Sequence, residues 1–149
     1  MSGTVNRGRH AGACYYEGMT RPSRRSILAR VRKICLALPQ TSERPSHGAP
    51  TFFIRGKRAF VTYHDNHHGD GRLAIWCAAP PEIQRMLVAS QPDRYFVPAY
   101  VGHLGWLGVR LDRDLGWSEI AGQIEDAYLT VAPKKLIEAA RVDRHLVRS

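Results

Sequence analysis

No apolar run in this chain approaches the ~20 residues that a bilayer-crossing helix needs, so no membrane partner is expected. Arg7 and Arg9 are not followed by an apolar stretch, and no signal peptide is read there. Cysteine is scarce: Cys14, Cys35 and Cys77 are an odd number without Cys-x-x-Cys spacing. That argues against a disulfide framework and for reduced thiols in the cytoplasm. The chain also lacks a phosphate-binding loop, a nucleophile elbow and a zincin helix. It holds no internal repeat and no low-complexity segment. No catalytic residue, cofactor or metal site is therefore assigned, and a non-enzymatic role is the leading reading.

The 149 residues suit one domain with a single core. Hydrophobic content of 44% and charged content of 23% are ordinary for a globular protein. The net charge of +9 is uneven. Met1–Cys35 carries 8 basic and 1 acidic residue, Leu36–Pro133 carries 9 and 10, and Lys134–Ser149 carries 5 and 2. The middle is nearly neutral, and the positive charge sits at the two ends. Basic ends attract polyanions without sequence preference.

Residues 1–21 are Gly-, Arg- and polar-rich without periodicity and are expected to be disordered. Met19 is an alternative start. The folded domain is expected over 22–136, with a basic tail or short helix over 137–149. Ser23 is placed to cap a helix to about Leu38, whose stripe is Ile27, Leu28, Val31, Ile34, Cys35 and Leu38. Pro39 stops it.

Thr41–Pro50 reads as a polar loop. Thr51–Arg55 and Arg58–Tyr63 read as a hairpin about Gly56-Lys57. His64–Gly71 reads as a polar turn and Arg72–Cys77 as a third strand. Pro80-Pro81 opens a helix to about Ser90. Short strands are expected around Phe96-Val97 and over Trp106–Leu111. Ser118 is placed to cap a last helix with the stripe Ile120, Ile124, Ala127, Tyr128 and Val131. The order implies an α+β fold, an antiparallel sheet with the first and last helices on one face.

Several segments resemble the MmcQ/YjbR family. They are Leu36-Ala37-Leu38-Pro39, His47-Gly48-Ala49-Pro50-Thr51-Phe52, Gly105-Trp106-Leu107-Gly108-Val109 and Ala127–Lys134. The resemblance covers roughly Arg24–Leu136. It implies a CyaY-like two-layer α/β sandwich and, through the double-wing arrangement by which the family is labelled, DNA binding. The iron binding of frataxin-like proteins is not carried over, because the first helix here is basic and repels a hard cation.

Two candidate sites emerge. Arg55, Lys57 and Arg58 flank a hairpin tip and form a basic wing for weak contact with DNA phosphates. His64, Asn66, His67 and His68 lie in a loop rich in hydrogen-bonding groups, whereas His103 and Trp106 lie in a run with glycines at 102, 105 and 108. Flat aromatic surface beside polar groups is the usual make-up of a small-molecule cleft. The alternative function is therefore ligand binding between the His64–Gly71 loop and the Gly105-Trp106 turn. Metal binding is the lesser reading of the histidines, since their spacing is irregular and Asp, Asn and Gly are what a turn needs.

Overall fold

The computed structural model describes residues 23–114 and 116–139. The expected disordered segment 1–21, Cys14 and most of the 137–149 tail lie outside them. By its contacts the chain divides after Val31 into one unit ending there and a second beginning at Arg32.

The described part of the first unit is the opening of helix α1 (Arg24–Leu36). The Ser26 N–H donates to the Ser23 hydroxyl at 3.1 Å. Ser23 thus satisfies one of the donors left free at a helix start. Ile27, Val31 and Cys35 are buried at intervals of four, the spacing of one helical face.

The second unit is built on one antiparallel sheet of six strands. These are β1 (Thr41–Ser46), β2 (Ala49–Ile54), β3 (Arg58–Asp65), β4 (Leu73–Cys77), β5 (Tyr95–Phe96) and β6 (Leu107–Arg110), in the order β1-β2-β3-β4-β6-β5. Helix α2 (Pro81–Ser90) connects β4 to β5, and α3 (Trp117–Val131) follows β6. The protein is α+β.

The two faces of the sheet have different contents because successive side chains on a strand point oppositely. On one face Phe60 meets Tyr128 of α3 edge-on, centroids 5.7 Å apart. The Tyr128 hydroxyl donates to the Pro39 carbonyl at 2.8 Å, tying α3 to the chain just beyond α1. Burial pushes the Cys35 thiol well up, and Cys77 of β4 lies close enough to add to it. The end of α1 and α3 therefore share this face. On the other face Ala74, Trp76 and Phe96 form a separate buried cluster, with Val101 and Trp106 packed against it.

Gly108 makes that second cluster possible. It pairs with Trp76 on one side and with Phe96 on the other. A methyl group there would collide with the Phe96 ring. Arg72 closes over the same ring, its guanidinium carbon 4.1 Å from the centroid.

Two expectations are corrected. Thr41–Pro50 is not a loop: Thr41–Ser46 is the edge strand β1, paired with β2 from Thr41↔Ile54 to Ser46↔Ala49. Its polar sequence lacks an alternating apolar face, and its side chains reach sideways instead. The Arg44 guanidinium lies 3.6 Å from the Phe53 ring centroid, and Glu43 accepts from Arg32 at 2.8 Å. Pro45 is tolerated because an edge strand leaves one side of its backbone unpaired. Ser118 does not cap α3: the cap position is Gly116, two residues earlier, with no side-chain cap bond.

Candidate functional site

The site begins with an irregularity in β3. Phe52 pairs with Val61 and Phe53 with Ala59, leaving Phe60 as an extra residue. Such a bulge shifts the alternation of the strand. Phe60 and Val61 are both fully buried. Thr62 and His64 then fall on the face of Trp76, which is the cross-strand partner of Thr62.

Beyond β3 the chain turns through a 3-10 segment, His67–Gly69, with Asn66 at φ 60 and His68 at φ 50. The loop satisfies its own polar groups. The Asn66 side-chain oxygen accepts from the Gly71 N–H at 2.7 Å, and Asp70 accepts from the Arg72 N–H at 2.9 Å. That self-bonding fixes the imidazoles. His64 lies on the Trp76 indole with centroids 3.7 Å apart and planes 27° from parallel. His67 stands edge-on to both His64 and Trp76, at 5.0 and 4.8 Å. His68 packs edge-on against His67 at 4.1 Å.

Two other turns complete the walls. His47 (φ 52) and Gly48 (φ 79) form the two-residue connection between β1 and β2. Both are left-handed, as a type I′ hairpin turn requires. The third wall is the Pro98–Trp106 loop. Gln84, buried on α2, donates to the Gly102 carbonyl at 2.8 Å and to the Trp106 carbonyl at 2.6 Å. It thereby clamps the loop. Tyr100, 72% exposed and at φ 65, sits on the rim with its hydroxyl 3.4 Å from His68 Nε2.

These segments enclose a cleft of about 680 Å³. Its lining is Ser46, His47, Thr51, Ala59, Thr62, His64, His67, His68, Trp76, Tyr100, Val101 and Trp106. No Asp, Glu, Lys or Arg is among them. Burial, helped by nearby His67 and opposed by Asp70, lowers the His64 pKa to about 4. The ring is thus neutral at physiological pH. Its Nε2 is 2.9 Å from the Thr62 hydroxyl. That pair has the spacing of a hydroxyl and its base, but so weak a base accepts a proton poorly at neutral pH. The Trp76 indole N–H is buried without a hydrogen-bond partner. An unsatisfied donor of this kind costs about 1–3 kcal/mol.

The structure brings four of the expected ligand residues together: His64, His67, His68 and Trp106 all line the cleft. Asn66 and His103 do not. Asn66 spends its side-chain oxygen inside its own loop, and His103 is exposed on the 3-10 turn Gly102–Leu104. Among the described residues no group of three His, Cys, Asp or Glu side chains is arranged to hold a metal. Sequence reasoning missed His47, Trp76 and Tyr100. Two of them sit at left-handed backbone positions, which a single sequence does not advertise when the residue is neither Gly nor Asn. The signal for Trp76 was its place opposite Thr62, legible only with the strand register.

Arg55, Lys57 and Arg58 are exposed at the β2–β3 tip, the opposite end of β2 from His47. Arg55 donates to the Gln40 side-chain oxygen at 2.7 Å, and Arg44 donates to the Gly56 carbonyl at 3.1 Å. The basic tip and the cleft are separate features.

Comparison with known proteins bears on the family and the fold. The family model for YjbR matches residues 36–130, more than half of the chain. The crystal structure of Deinococcus radiodurans protein DR2400, with the domain DUF419, matches at a TM-score of 0.58 and 19% identity. That match covers 70% of this chain and 78% of the other. At such identity the likeness is one of fold. No curated protein matches the chain significantly.

Proposed function

This chain belongs to the YjbR family, and from that premise we propose that it is a binding protein whose cleft takes a small organic molecule. The observation that carries the reading is convergence. Three loops distant in sequence, at His47, His64–His68 and Tyr100–Trp106, contribute to one cavity of about 680 Å³. Sites for small ligands commonly measure roughly 300–1,000 Å³ and combine apolar lining with a few polar groups. Cys35 and Cys77, both free and buried, accord with a cytoplasmic location.

The test is a fragment screen by thermal shift on the full chain. A ligand that binds only the native state raises the melting temperature by mass action. Trp106→Ala should remove the shift. Ligands whose shifts all survive that substitution would refute the cleft as the site.

A second reading, weak DNA binding, is supported by the exposure of Arg55, Lys57 and Arg58 at one hairpin tip. Their joint replacement by alanine should weaken duplex binding and flatten its salt dependence, by about 0.9 per lost phosphate contact. Binding that ignores the triple substitution belongs to charge elsewhere.

A further inference from the structure

The lining chemistry narrows the ligand further, on the reading that the cleft is a binding site. We propose that it takes an uncharged, planar aromatic molecule. Two observations lead there.

The first is the absence of permanently charged side chains. No carboxylate, ammonium or guanidinium lines the cleft. A charged ligand would shed its hydration without gaining a partner of opposite charge, which is costly. The burial that keeps His64 neutral adds no charge of its own at neutral pH.

The second is shape. The rings of His64, His67, His68, Tyr100 and Trp106 line the cleft, with His64 stacked over the buried Trp76 at 3.7 Å. Trp106 is partly buried beside Trp76, and Tyr100 stands exposed at the rim. Flat rings gain most from ligands that are themselves flat, because offset stacking brings many atoms to contact distance at once. A saturated ring of equal volume touches them at fewer atoms.

The experiment uses the full chain at pH 8 and three probes. Quinoline is planar and uncharged. Quinoline-2-carboxylate adds a charge, and cyclohexanol removes planarity. Melting shifts and tryptophan fluorescence read the binding. Quinoline should bind at least about tenfold more tightly than each of the other two. Equal or tighter binding of cyclohexanol or the carboxylate overturns the proposed class. If Trp106→Ala still abolishes their shifts, the cleft survives as the site. No shift with quinoline at about 10 mM likewise overturns the class. The fragment screen then judges the cleft separately.

Discussion

The imidazole of His64 lies flat on the indole of Trp76, centroids 3.7 Å apart, and this contact links the cleft to the pH response of the fold. Burial holds the folded-state pKa of His64 at about 4, against 6.5 for the free side chain. Between those values the unfolded chain binds more protons than the native one, so stability falls as pH drops from 6.5 towards 4. Above 6.5 the group contributes no slope. With a discount for its partial exposure the loss is about 1–2 kcal/mol. Urea unfolding at pH 7.5, 5.5 and 4 should show that loss in the wild type and a smaller one in His64→Asn. Parallel curves would exclude His64 as the source.

The Gln84 clamp gives a second expectation. Gln84→Leu keeps the bulk on α2 but removes the side-chain donor from the Gly102 and Trp106 carbonyls, of which Gly102 still accepts from the Gly105 N–H. The cost should be about 1–3 kcal/mol. Hydrogen exchange should quicken in the 99–106 loop more than in β3 or β4. Uniform quickening would mean that Gln84 supports the whole sheet, not this loop.

Gly108→Ala should be among the more damaging small substitutions. The added methyl meets the Phe96 ring, and overpacking of this kind costs about 1–3 kcal/mol. Phe96→Ala removes the obstacle, so the double variant should be less destabilised than the two single changes combined. Additive losses in a double-mutant cycle would contradict the assigned clash.

His47 separates turn geometry from ligand contact. At φ 52, asparagine is tolerated and a β-branched residue is not. His47→Asn should leave the melting temperature within about 2–4 °C, whereas His47→Val should cost about 1–2 kcal/mol. His47→Asn should also weaken ligand binding, since it removes an imidazole from the lining. Unchanged affinity would place the ligand away from the β1–β2 turn.

What was legible in the sequence follows from how local each signal is. The α1 stripe and the hairpin about Gly56 rest on periodicity and on turn residues, and both appear near their expected bounds. Strand β1 was illegible because Thr-Ser-Glu-Arg-Pro-Ser carries no strand signal of its own. It is held by pairing with β2 and by Arg44 on Phe53. The cleft was half legible. His64, His67, His68 and Trp106 stood out by composition, while His47 waited on a turn between two strands, one of which read as loop. Asn66 and His103 looked equally polar, but one bonds inward and the other faces solvent.

The composition of β1 bears on how the sheet stops growing. An open edge offers a row of backbone donors and acceptors to any incoming strand. Here the row is interrupted at Pro45, which has no N–H, and Glu43 and Arg44 flank the gap with charge. A neighbouring chain aligned along this edge would forfeit a hydrogen bond at the proline and meet solvated side chains beside it. The same residues that hid the strand from sequence reading therefore guard the protein against fibril-like association through β1.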